Sequence, residues 1–141
     1  MTIANVNPIF VHHPVVTTTN IPATANTNRD GTGTITTIYT ADAAVNGSLV
    51  ENIHFVGHGT TTTGIMNLFR KTAGVGNWIF IGQVAYTGTT PSATVAAVDF
   101  FYVGSDMPMR LNQNDLLGAA PTQANALTCL VQGGPLVNSD A

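Results

Sequence analysis

Between residues 30 and 134 the chain consists of short runs of β-branched and aromatic residues cut by glycine, asparagine and proline. That punctuation decides what it can fold into, because each run is too short for a packed helix and the right length for a strand. The first run is Thr32 to Thr40, and Asn46-Gly47 then signals a turn. Residues 48–58 alternate: Leu49, Ile53 and Phe55 are expected on one face, and Asn52, His54 and His58 on the other. A further short strand is expected over 64–71. The two most apolar runs, 78–86 and 93–103, flank Thr87-Gly88-Thr89-Thr90-Pro91-Ser92 and are expected as a hairpin in the middle of the core. The piece at 107–111 contains Pro108, which suits an edge. Residues 115–118 read as either one helical turn or the start of a strand. The last strand spans 125–132, before Gly133-Gly134-Pro135. Alanine-rich stretches at 41–44 and 93–97 are flanked by Gly, Thr and Pro, which argues against helices. The expected fold is therefore all-β: an antiparallel β-sandwich, jelly-roll-like, with about eight strands.

The 141 residues suit one domain. Residues 1–28 read differently from the rest, as an extended N-terminal arm. Pro8, Pro14 and Pro22 exclude a helix or a central strand, and Ile9, Phe10, Val11, Val15 and Val16 lie between them as apolar anchors for a partner. The sandwich is expected over 29–134, and residues 135–141 read as a loose C-terminal tail. Residues 1–5 lack a basic stretch followed by an apolar one, so no signal peptide is read there. No apolar run approaches the roughly 20 residues that span a bilayer, so no membrane partner is expected. Synthesis in a cytoplasm, with the chain soluble or assembled there, is the expectation. Cys129 is the lone cysteine, which rules out an internal disulfide and suggests a small buried hydrophobe.

Charge narrows the function classes. Asp, Glu, Lys and Arg make up 8% of the chain, against about 25% in an average domain. With 44% hydrophobic residues and a net charge of −3, the chain lacks the signature of charge-driven disorder. It lacks the Glu and Lys of a coiled coil. Four basic residues are too few for a protein that neutralises phosphates, so no nucleic-acid partner is expected. Thr, Asn and His stand on the outward positions instead. Uncharged polar surface is easier to desolvate than charged surface, which suits sides covered by neighbours, including further copies of the chain.

Motifs that carry chemistry are sparse. His54 and His58 share a strand face but lie about 13 Å apart at roughly 3.3 Å per residue, too far for one metal unless the strand bends at Gly57. His12-His13 have no Cys, Asp or Glu at zinc spacing, so no metal or other cofactor is expected. Of the seven carboxylates, no two sit at a spacing that suggests an acid/base pair. Asp99 stands out inside the apolar run Val98-Asp99-Phe100-Phe101. It is expected to pair with Arg70, Arg110 or Lys71, or to face solvent or a subunit. Gly57-His58-Gly59 and the four threonines before Gly64 precede a strand, not a helix, and read as a turn rather than a phosphate loop. No nucleophile elbow is present. The chain reads as non-enzymatic. In Phe100-Phe101-Tyr102 the rings alternate sides, so at least one leaves the core. Phe100, Tyr102 and Arg110 are the expected contact residues on the sandwich surface.

Residues of about 28–134 resemble small virion structural proteins of tailed bacteriophages. The resemblance is carried by Ala44 to Ile53, Thr60 to Phe69, Asn77-Trp78-Ile79-Phe80-Ile81, Thr90 to Val95 and Val131-Gln132-Gly133-Gly134. It implies a virion part, and head decoration (cement) proteins with jelly-roll-like sandwiches look the closest in role. The implied partners are the major capsid protein and the chain itself, as a dimer or trimer on the outer capsid surface. A tail or fibre module that binds a receptor or glycan is the alternative. A small lytic hydrolase is the weakest reading, for want of paired carboxylates or a nucleophile motif.

Overall fold

The computed structural model describes residues 9–11, 14–43, 46–73 and 75–138. Among these the fold is all-β, an antiparallel sandwich of two sheets. The strands are β1 (Ile9–Val11), β2 (Val15–Ile21), β3 (Thr36–Thr40), β4 (Ser48–Gly57) and β5 (Gly64–Lys71). They continue as β6 (Ile79–Tyr86), β7 (Asp99–Phe101), β8 (Met109–Leu111), β9 (Leu116–Pro121) and β10 (Leu127–Asn138).

Sheet I is built on β4 and β10, paired antiparallel. β2 and then β1 run along the free edge of β10, while β7 and β8 share the free edge of β4. Sheet II has the order β3-β9-β5-β6. The core lies between the sheets. Ile21, Val50, Ile53, Phe55, Leu127, Cys129 and Val131 of sheet I meet Ile38, Met66, Leu68, Leu117 and Ala119 of sheet II. Full burial of a large aliphatic or aromatic side chain contributes about 1.5–3 kcal/mol, so this layer is the main source of stability.

One irregularity resets the alternation of β4. Asn52 faces Gln132 and Val50 faces Gly133, so Glu51 is the extra residue of a β-bulge. Ser48 and Val50 therefore point inward on one phase, and Ile53 and Phe55 on the other. Leu49, expected inward with Ile53 and Phe55, is displaced from the core by that bulge. Gly133 permits it: a Cβ there would stand 2.3 Å from the Leu49 carbonyl oxygen.

The two most apolar runs are not the middle of the core. β6 is the edge of sheet II, and of its residues only Tyr86 is buried. In 93–103 only Asp99–Phe101 pairs as a strand. The segment before it closes on itself instead. Ser92 Oγ accepts from the N–H groups of Thr94 and Val95 at 3.2 Å each, and Ser92 N–H donates to the Val95 carbonyl. The true middle of sheet II is β5 and β9. Residues from 116 form strand rather than helix, and Leu117, Ala119 and Ala120 are fully buried. β8, with Pro108 just before it, lies on an edge.

The first and last described segments are woven into the sandwich. The segment expected as a free arm runs as β2 from Val15↔Gly133 to Ile21↔Leu127, bracketed by Pro14 and Pro22. Of the tail expected at 135–141, residues 135–138 continue β10, and 139–141 lie outside the described residues.

Residues 22–35 then cross to sheet II and lie over its outer face. Asn26 is buried, with its N–H on the Pro121 carbonyl at 2.8 Å and its side-chain amide on the Thr32 and Thr34 carbonyls at 3.0 Å. Ile35 and Trp78 press onto Gly118, where a Cβ would lie 2.6 and 2.9 Å from their side chains. Beneath this strap Phe69, outside the central core, is fully buried against the edge-to-face ring of Phe80. Arg29 reaches over Phe80 and donates to Gln83 Oε1 at 3.2 Å.

Candidate interaction surface

The outer face of sheet I follows from the alternation of four strand positions. One row across β2, β10, β4 and β7 reads Thr18, Leu130, His54 and Phe101. The row on one side of it reads Asn20, Thr128, Val56 and Asp99, and the row on the other side Val16, Gln132 and Asn52. These positions are exposed or half-buried, while the alternate ones are Cys129, Val131, Ile53 and Phe55 of the core. The three rows contain one carboxylate and no Lys or Arg. Strand faces in water normally carry charge; this one presents Thr, Asn, Gln and apolar groups.

Asp99 and His54 organise its centre. They are cross-strand neighbours of β7 and β4, and His54 Nε2 contacts Asp99 Oδ1. The imidazole lies flat on Phe101, with ring centroids 4.2 Å apart and planes 9° apart. Phe101 is 44% exposed and Val103, just beyond, 80%. His58 Nε2 contacts Thr128 Oγ1 further along. Sequence reasoning offered Asp99 either a cation (Arg70, Arg110 or Lys71) or an exposed or subunit-facing position; the fold leaves it exposed, with a histidine beside it. Arg70 instead holds Asp115, a carboxylate that the sequence did not single out. Asp115 is buried and accepts from Arg70 Nε at 3.2 Å and from the Asn112 N–H at 3.0 Å, tying β5 to the turn before β9.

The expected contact residues are divided by the fold. Phe100 packs inward between Phe55 and Tyr86, with centroid distances of 5.1 and 4.7 Å. Tyr102 is buried, and its hydroxyl donates to Asp106 Oδ1 at 3.1 Å. Burial, with the Asp106 carboxylate beside it, pushes the Tyr102 phenol up to about 12. Tyr102 is thus corrected from surface to interior, whereas Phe100 is half-buried with its ring packed on the core. Phe101, between them, is the ring that leaves the core, because neighbours on a strand face opposite ways. Arg110 is exposed on β8, where its guanidinium reaches the Asn46 carbonyl at 3.5 Å. Val15 and Val16 are exposed on β2, whereas Ile9, Phe10 and Val11 form β1 and their side chains lie outside the described residues.

A cleft of about 460 Å³ opens beside this face, between the end of β6 and the segment leading into β7. Ala85, Tyr86, Ala97, Val98 and Phe100 line it, with Asp99 among the lining residues. No group of three His, Cys, Asp or Glu able to hold a metal occurs among the described residues. No helix among them is long and apolar enough to cross a membrane. Burial alone pushes the Cys129 thiol up to about 12, so at neutral pH it is a thiol, not a nucleophilic thiolate. No protein-family model matches the chain, and no curated protein matches it.

Proposed function

We propose that this chain is a non-enzymatic structural protein of a bacteriophage virion. Its proposed seat is the outside of the head, as a decoration protein that stabilises the major capsid protein lattice. The virion assignment rests on the sequence resemblance. The observation that carries the mechanism is the outer face of sheet I, nearly free of charge and, among the described residues, exposed or half-buried. Docking such a face strips water from hydroxyl, amide and apolar groups, which is far less costly than stripping it from Lys and Glu. Affinity then comes from matched area around a few rings such as Phe101 rather than from ion pairs.

Purified virions of the phage that encodes the chain provide the test. Quantitative mass spectrometry should find one copy per capsid-lattice position. Absence of the chain from washed virions overturns the proposal. The exposed edge of Phe101 beside the Asp99 carboxylate favours a second reading, a glycan-binding module of a tail appendage. A low copy number confined to tails, together with glycan-array binding lost in Phe101→Ala, would select it.

A further inference from the structure

We propose that β2 is an exchangeable strand, which in the assembled protein leaves its own β10 and pairs with β10 of a second copy of this chain. The inference deepens the assembly reading above by naming one of the partners and the element that joins them.

Three observations carry it. First, β2 is held almost entirely along one edge. It pairs with β10 alone, and of its seven residues only Ile21 is buried. Secondly, its beginning is covered on neither side. Val15 and Val16 point to opposite faces, yet they are 49% and 57% exposed. The beginning of the strand therefore has little packing to lose when it parts from its own sandwich. Thirdly, a hinge is in place. Residues 22–25 are all exposed, between Pro22 and the anchor where the Asn26 N–H meets the Pro121 carbonyl. The five steps from Ile21 to Asn26 can span at most about 17 Å, enough to redirect the strand while the strap stays seated on sheet II.

Exchange keeps every bond that β2 makes in one molecule. The acceptor is the same edge of β10, in the same register from Val15↔Gly133 to Ile21↔Leu127. The same contacts made between copies are the low-cost route to a symmetric pair. β1, further along the same edge of β10, travels with β2.

The test uses two chains, each with one cysteine on the outer face. One carries Thr18→Cys with Cys129→Ala, the other Leu130→Cys with Cys129→Ala; positions 18 and 130 are direct partners across β2 and β10. The two are refolded together and oxidised. A reducible heterodimer with the bridge mapped to positions 18 and 130 is expected. A single chain with all three substitutions is the control, and it should close the bridge within itself when refolded at high dilution. Closure in that control without any heterodimer in the mixture overturns the proposal. As a second test, deletion of residues 23–24 from the otherwise unaltered chain shortens the hinge. It should raise the dimer fraction in sedimentation at least several-fold, and an unchanged monomer contradicts exchange. Both tests fail separately from the virion reading, since copy number per virion is blind to which copy supplies β2.

Discussion

The two sheets of this sandwich treat their outer faces in opposite ways. Sheet II is covered by its own chain. The 22–35 strap and Trp78 lie over it, and Phe69 is fully buried although it points away from the central core. Among the described residues, sheet I has no such cover. Its equivalent aromatic, Phe101, is 44% exposed and rests on a histidine. Both faces are poor in charge, but only on sheet II has the missing charge an explanation inside the molecule. The difference teaches that low charge on sheet II goes with a surface covered during folding; under the function proposed above, the low charge on sheet I goes with one covered on assembly.

The comparison breaks most readily at Phe69. Phe69→Ala removes the centre of the second layer and should destabilise the protein by about 3–5 kcal/mol in urea titration. A loss below 1 kcal/mol would mean that the strap covers little. Next in size is Asp115→Asn, which takes the charge from a buried acceptor of Arg70 and of the Asn112 N–H. It should cost about 1.5–3 kcal/mol by the same measurement.

The cover of sheet II has one flaw, and it yields a prediction of opposite sign. Asn67 is fully buried in the row with Ala120 and Gln83, and neither atom of its amide has a protein partner. Asn67→Leu, which keeps the branching and the number of side-chain heavy atoms but is larger, should raise stability by about 1–3 kcal/mol where the second layer accommodates the added volume, because a buried polar group without partners is replaced by an apolar one. A drop in melting temperature would show that the amide is satisfied by ordered water.

Alkaline pH probes the seam between the sheets. The phenol of Tyr102 titrates near 10.0 in the unfolded chain and near about 12 in the folded one. Its contribution to stability is therefore complete below pH 10 and is lost as pH rises toward 12, since the unfolded state releases its proton first. Tyr102→Phe should flatten that part of the pH–stability curve; an identical slope would assign the loss to other groups. The smallest effect belongs to sheet I. Phe101→Ala should change the stability of the isolated chain by no more than about 0.5 kcal/mol, while weakening attachment to the particle.

These contrasts set the limit of what could be read from the sequence. The strands announced themselves wherever β-branched runs met Gly or Asn, as at Asn46-Gly47 before β4. What failed was everything that depends on the partner across a ladder. The bulge at Glu51 reversed the phase of Leu49, and nothing in one strand's own sequence signals where its neighbour will skip a residue. The apolar run of β6 looked central because an edge strand covered by a strap has a core strand's composition. Asp99 found His54 rather than Arg70, Arg110 or Lys71 because register, not charge, decides which side chains meet. The alternation rule did show that Phe100, Phe101 and Tyr102 could not all be core. Choosing Phe101 as the one outside required the fold.

The central claim is that the outer face of sheet I is covered on assembly and that of sheet II is not altered. Hydroxyl-radical footprinting of the free chain and of the chain in purified virions tests it residue by residue. Phe101 and Leu130 should lose most of their oxidation in the particle, while Phe80 and Trp78 keep theirs unchanged. Equal oxidation of Phe101 in the two states would contradict the account.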